Sequence, residues 1–224
     1  MFIQFLHCDA MSKSNKTMSN KESRKEKKTK LILEKAIVVI AEKGYHAATV
    51  SDIAKEAGVA AGSIYNHFDN KEHILIQIFE VKMAELTESV RQVVSTHTDP
   101  IEQIRLFIAH HFQHLQRSPD LAQVFQVELR QSQHFFKVDY EPKRLLEYLG
   151  VLQQAIALGQ KQGVLDPILD RNLLQWSIFG AMDELSTNWV LTSRQNRKAW
   201  PPDLSILPDQ IVRMFIDGVR VRSS

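Results

Sequence analysis

Residues 49–68 read TVSDIAKEAGVAAGSIYNHF, a stretch that asks for two short helices with a tight turn between them. Val50, Ile53, Ala54 and Ala57 recur at i, i+3, i+4 and i+7, which places one apolar stripe on a first helix. Thr49 stands just ahead of that stripe, where an N-cap belongs. Gly58 stands just past its end, where a left-handed residue stops a helix and lets the chain turn. Ile64 and Phe68 then give a shorter stripe one turn apart, and Ser63, Tyr65, Asn66 and His67 are left to point outward. A short helix that buries two side chains and shows hydroxyls, an amide and an imidazole has the pattern of a helix-turn-helix, whose second helix enters the major groove of DNA.

Working outward, the chain has 224 residues, 44% of them hydrophobic, with only 8 Gly and 7 Pro, a balance that favours packed helices over sheet. Its one cysteine, Cys8, excludes an internal disulfide and suits a reducing, cytoplasmic setting. No apolar run approaches the roughly 18 residues of a membrane helix, so no membrane partner is expected. The opening MFIQFLHC lacks the basic region of a secretory signal. The net charge is only +2, but residues 1–72 hold 12 Lys and Arg against 9 Asp and Glu, so the positive bias lies with the DNA-contacting pattern.

Residues 1–28 are rich in Ser, Asn, Lys and Glu and read as a disordered basic tail; Met11 and Met18 are alternative starts within it. A helix over Thr29–Lys43, with Leu31, Ala36, Ile37, Ile40 and Ala41 inward, ends at Gly44. Asn70 caps a long helix reaching about Ser95. Asp99-Pro100-Ile101-Glu102 is a strong start signal for a helix to about Arg117: a cap, Pro at the first helical position and Glu at the third. Further helices are expected from Pro119 to about Gln131, from Glu141 to Gln162, from Asp170 to about Leu191, and near Asp209–Val221. The fold class is all-α. Residues 29–75 form the DNA-binding domain and 76–224 a ligand-binding and dimerisation domain.

These residues resemble the TetR-type bacterial transcriptional repressors. The pattern T-V-x-x-I-A-x-x-A-G-V-x-x-G-x-x-Y-x-H-F-x-x-K is matched by Thr49, Val50, Ile53, Ala54, Ala57, Gly58, Val59, Gly62, Tyr65, His67, Phe68 and Lys71. The resemblance departs at Ala60, where the family usually has Ser, Thr or Asp; the lost cap costs about 1 kcal/mol. Val124–Ser132 (VFQVELRQS) and Ile178–Glu184 (IFGAMDE), followed by Trp189, are similar to the FadR branch of that family. That branch implies a repressor of fatty-acid degradation released from a palindromic operator by long-chain acyl-CoA, a hydrophobic small-molecule effector. A TetR-type repressor answering another hydrophobic ligand, such as a drug at an efflux operon, is the alternative, and a planar, acid-lined cavity would favour it. A helical interaction protein without a DNA site is a further reading.

By position, Ser63, Tyr65, His67 and Lys71 are expected to reach phosphates, while Ala61, Gly62 and Asn66 face the groove and Thr49 and Ser51 complete the expected DNA-binding set. Asn66 suits adenine and Ala61 a thymine methyl. A site read by so small a module requires a homodimer. Trp176, Ile178, Met182, Leu185 and Trp189 exceed what one core-facing stripe absorbs, and are expected at the dimer interface. Phe107, Ile108, Phe112, Phe125, Leu129, Leu149, Leu152, Ile156 and Phe179 are candidates to line an apolar tunnel. Arg130 either pairs with effector phosphates at its mouth or forms an ion pair with Glu128 or a neighbouring helix. No nucleophile elbow, phosphate loop, zinc-protease or paired-cysteine motif occurs, so no enzyme and no catalytic residue is expected. His110 and His114 have a zinc-compatible spacing but no third ligand, and neither metal nor cofactor is expected beyond the effector.

Overall fold

The computed structural model describes residues 6–131, 143–194 and 203–219, and every regular element among them is helical. The chain divides into two compact units, Met1–Ile74 and Leu75–Ser224.

The first unit holds α1 (Leu6–Lys43), α2 (Val50–Glu56) and α3 (Ala61–Ile64). Helix α1 starts at Leu6, so residues 6–28, expected to be a disordered tail, are helical. No Gly or Pro precedes Gly44, and Lys and Glu are good helix formers. A helix already fixed by its buried C-terminal half extends backward without a new nucleation step. That half buries Ile32, Leu33, Ala36, Ile37 and Ile40. Leu31, expected inward, is 38% exposed, and Ile32 and Leu33 take its place.

Thr49 closes a capping box on α2. Its Oγ1 accepts from the Asp52 amide at 3.1 Å, and the Asp52 carboxylate accepts from the Thr49 amide at 3.0 Å. Gly58 has φ of 64°, the left-handed geometry that ends α2 and turns the chain into α3. Ala60 makes no side-chain cap, as its methyl requires. Ile53, Ala54, Ile64 and Phe68 close the small core against α1. Helix α4 (Lys71–Val94) is continuous across the boundary between the units, and Asn70 Oδ1 accepts from the His73 amide at its start.

In the second unit, α5 (Pro100–Arg117) starts with Asp99 Oδ1 accepting from the Ile101 amide at 2.8 Å. The helix expected from Pro119 to Gln131 is instead three pieces: α6 (Pro119–Gln123), a π-helical turn (Val124–Glu128) and a 3-10 turn (Leu129–Gln131). A buried polar pair accounts for the break. Gln123 Nε2 donates to Glu128 Oε1 at 3.0 Å, and both side chains are buried. Residues five apart diverge on an α-helix, whereas the wider π turn, with Leu129 N–H bonded to Val124 O, brings them together.

Helix α7 (Lys143–Lys161) ends before Gly163, whose φ is 71°; residues 141 and 142 of the expected helix lie outside the described residues. Asp170 Oδ1 accepts from the Leu173 amide and caps α8 (Arg171–Arg194). A 3-10 turn (Leu204–Ile206) leads into α9 (Leu207–Val219). Helix α5 packs on α7 and α9, and α7 packs on α8. Phe107, Ile108, Phe112, Leu149, Leu152 and Ile156 fill the space between them.

The expected dimer face needs a correction. Ile178 and Met182 are both 0% exposed, so the chain's own core uses them and they have no area left for a second copy. Leu185 and Trp189 are half-buried, and Trp176 is exposed. The apolar side chains that α8 leaves outside are Leu173, Trp176 and Leu191, spaced at i, i+3 and i+18 along one face.

Candidate functional site

Two surfaces carry polar chemistry, one in each unit. On the first, Ala61, Gly62, Tyr65 and Asn66 stand exposed on and just after α3, with Thr49 and Ser51 exposed at the start of α2. Ser63 and His67 are half-buried, because α1 holds them. Lys28 Nζ donates to Ser63 Oγ at 2.7 Å, and His67 Nδ1 shares a hydrogen bond with Thr29 Oγ1 at 2.8 Å. Burial, and after it the charges of Lys28 and Lys25, hold the His67 imidazolium below its ordinary range, so the ring is neutral near pH 7.

Lys71 departs from the expectation that it reaches phosphate. Its Nζ donates to the backbone oxygens of Tyr45, His46 and Ala48 at 2.6, 3.1 and 2.9 Å. An ammonium has three protons, and all three are taken. The same nitrogen lies 4.5 Å from the Tyr45 ring centre. Lys71 therefore ties the start of α4 to the α1–α2 turn. Thr49 also has its hydroxyl engaged, donating to Asp52 Oδ2 at 2.7 Å. Asp52 is held down to about 2, first by the Lys43 ammonium and then by Thr49. The Lys71 pairings carry no spacing signal, since its partners are backbone oxygens 23 to 26 residues away.

On the second unit, a cavity of about 240 Å³ opens between five segments. Helix α4 contributes Phe79, Met83 and Leu86, α5 contributes His111, and α7 contributes Leu145 and Tyr148. The segment after α6 contributes Phe125, Gln126, Leu129 and Arg130, and α8 contributes Phe179 and Asp183. Of the residues proposed for the ligand site, Phe125, Leu129, Arg130 and Phe179 line this cavity. Phe107, Ile108, Phe112, Leu149, Leu152 and Ile156 do not. They face the seams among α5, α7 and α9 and are at most 1% exposed. From α5 the cavity is reached instead by His111, one turn along the same face of the helix from Phe107 and Ile108 and against the same Tyr148 ring as Phe107.

Two polar groupings mark this cavity. Arg130 Nη2 donates to Asp183 Oδ2 at 2.6 Å, so the ion pair is with a neighbouring helix, not with Glu128. Gln126 Oε1 accepts from Thr187 at 2.9 Å and from Arg130 at 3.3 Å, which knits the π turn to α8. Deeper, Ser186 Oγ donates to Met182 O at 2.7 Å. Its one proton being spent there, Ser186 accepts from His111 Nε2 at 3.2 Å, and His111 Nδ1 accepts from the Tyr148 hydroxyl at 3.0 Å. Burial pushes His111 down to about 4 and Tyr148 up, so the chain stays neutral at physiological pH. Among the described residues the rest of the lining is hydrocarbon and aromatic, with one cation and one carboxylate that neutralise each other. Such a space suits an apolar ligand with an anionic end, which can compete with Asp183 for Arg130.

Among the described residues no helix is long and apolar enough to cross a membrane, and no group of three potential metal ligands converges. Residues 32–78 match the family model described as bacterial regulatory proteins, tetR family, and residues 79–218 match the model for the C-terminal region of YsiA-like protein. The chain is 36% identical over 189 residues to the fatty acid metabolism regulator protein of Bacillus subtilis strain 168, covering 84% of this chain and 93% of that one. It is similar to the crystal structure of the FadR transcriptional regulator of B. subtilis in complex with stearoyl-CoA, with a TM-score of 0.75 and 36% identity over 85% of this chain and 98% of the other. The fatty acid degradation regulator FadR of Bacillus halodurans gives a TM-score of 0.73 and 35% identity, over 85% of this chain and 99% of that one.

Proposed function

This chain belongs to the TetR family of bacterial regulatory proteins, and we propose that it represses fatty-acid degradation genes and leaves its operator when long-chain acyl-CoA binds. It is not an enzyme. In this reading residues 29–75 bind DNA and residues 76–224 take the effector and dimerise. The protein acts in the cytoplasm, as a homodimer on a palindromic operator. Ala61, Gly62, Tyr65 and Asn66 meet the DNA, with Thr49 and Ser51 beside them. Ser63 and His67 reach it from positions braced by α1, whereas Lys71 supports the turn behind them.

The observation that carries the effector reading is the cavity: an apolar space whose single carboxylate among the described residues, Asp183, is neutralised by Arg130. An acid-lined pocket for cationic drugs would need that carboxylate free. The likeness to a protein crystallised with stearoyl-CoA supports the same ligand class. A ligand releases DNA only by binding the DNA-incompetent conformation more tightly. Helix α4 is suited to carry that preference, since it bears Lys71 at its start and the cavity residues Phe79, Met83 and Leu86 further along.

Fluorescence anisotropy with labelled DNA from the gene's own upstream region tests the proposal. Stearoyl-CoA should dissociate the complex while free coenzyme A leaves it intact. Dissociation by a hydrophobic cation, with no response to any acyl-CoA, would overturn the effector assignment in favour of a drug-responsive repressor.

A further inference from the structure

A second hollow, of about 40 Å³, lies beside the first and shares Leu86, His111, Phe125 and Gln126 with it. Its far side is closed by the buried Leu115, Leu121 and Ala122, with His114 and Ser118 at its edge. We propose that this small chamber receives the far end of the effector's aliphatic chain, and that Leu86 and Phe125 form the gate that sets the longest chain accepted. The inference rests on the acyl-CoA reading and adds to it the direction in which the ligand lies and the residues that measure it.

The orientation follows from where charge is placed. Arg130 and Asp183 line only the larger cavity, so an anionic head belongs there and the tail points away from it. The larger cavity alone is small for such a tail. Its volume, about 240 Å³, falls below the roughly 300–1,000 Å³ usual for ligand sites, so a long chain must claim further space.

The shared wall shows where that space opens. Its polar members are pinned: His111 by Tyr148 and Ser186, Gln126 by Arg130 and Thr187. The apolar members, Leu86 and Phe125, are held by packing alone, Phe125 against the Phe79 ring at 5.7 Å between centroids. Phe125 also sits on the π-helical turn, whose hydrogen bonds to α8 run through the neighbouring Gln126 and leave the Phe125 ring itself without one. A chain pressing on this wall therefore displaces Leu86 and Phe125 before it displaces the hydrogen-bonded pair. Behind them it meets Ala122, the smallest side chain of the chamber.

The test measures affinity of the full chain for saturated acyl-CoA thioesters of graded chain length, by calorimetry, in wild type and two chamber-filling variants, Ala122→Leu and Leu115→Phe. Filling the chamber should leave the shorter thioesters within about twofold of wild type and weaken the longest ones, by about fourfold for each methylene turned out. Leu86→Ala, which lowers the gate, should move the preference toward longer chains. Equal weakening at every length, or an unchanged length profile in whichever filling variant keeps the wild-type circular dichroism, would overturn the chamber assignment while leaving the acyl-CoA reading intact. Failure of wild type to bind any thioester would overturn both.

Discussion

Lys71 Nζ donates to the backbone oxygen of Tyr45 at 2.6 Å and lies over that residue's own ring at 4.5 Å. With His46 O and Ala48 O as its other acceptors, the ammonium acts as a hub for the turn that delivers Thr49 to its capping position. Lys71→Met keeps the stem and removes the donors. It should lower stability by about 2 kcal/mol, the scale of lost charge-assisted bonds. DNA binding should weaken for all sequences, yet the dependence of log affinity on log salt should keep its slope. A slope shallower by about 0.9 would mean that Lys71 neutralises a phosphate after all. Binding titrations at several salt concentrations separate the two.

Arg130 and Asp183 predict opposite effects from the two halves of one ion pair. Arg130→Ala removes the cation offered to the effector, and should raise the acyl-CoA concentration needed for operator release by about tenfold or more, with operator affinity in the absence of effector preserved. Asp183→Asn removes the competing carboxylate and should lower that concentration. Anisotropy titrations with stearoyl-CoA read both. Matching losses in the two variants would show that the pair acts as a structural tie instead.

His111 makes stability depend on acidity. Burial holds its folded-state value at about 4, against an ordinary 6.5, so between those two values the unfolded chain binds a proton that the folded chain refuses. Stability therefore rises with pH across that window. The contribution is complete above about 6.5 and is lost as pH falls toward 4, with a ceiling of roughly 3 kcal/mol. His110 and His114 are also lowered, chiefly by burial, and act in the same direction. His111→Gln should flatten the fall in unfolding free energy between about pH 7 and about pH 5. Urea titrations at the two pH values measure it, and a variant with the wild-type slope would place the lost proton elsewhere.

What the sequence made legible is what neighbouring residues encode. Thr49, Asp99 and Asp170 cap their helices as read, because a cap is satisfied by an amide two or three residues along. Gly44, Gly58 and Gly163 stop theirs because positive φ is a property of one residue. What stayed hidden depends on distance or on competition. The π turn arises from Gln123 reaching Glu128, a polar pair that overrides the helix period. On α5 the cavity is reached by His111, whose partners lie 37 and 75 residues away, although it shares one face of the helix with the core residues Phe107 and Ile108, so periodicity alone does not separate them. Ile178 and Met182 failed as interface residues for a related reason: hydrophobicity gives no sign of whether a neighbour belongs to the same chain.

Tyr65 and Asn66 are adjacent and both exposed, Tyr65 by 58%, yet they should fail differently when altered. A phenol that reaches phosphate positions the protein without reading bases, so Tyr65→Phe should weaken every DNA sequence by a similar factor. An amide facing the groove pairs two-fold with adenine, and its loss removes discrimination worth about 1–3 kcal/mol at that base pair. Asn66→Ala should therefore narrow the gap between the operator and a variant with that adenine replaced, while nonspecific affinity stays near wild type. Since neither side chain supports the core, thermal midpoints of both variants should match wild type. Competition binding against a panel of single-base operator variants decides the matter: a sequence-selective defect in Tyr65→Phe, or a uniform one in Asn66→Ala, would reverse the roles given to the two residues.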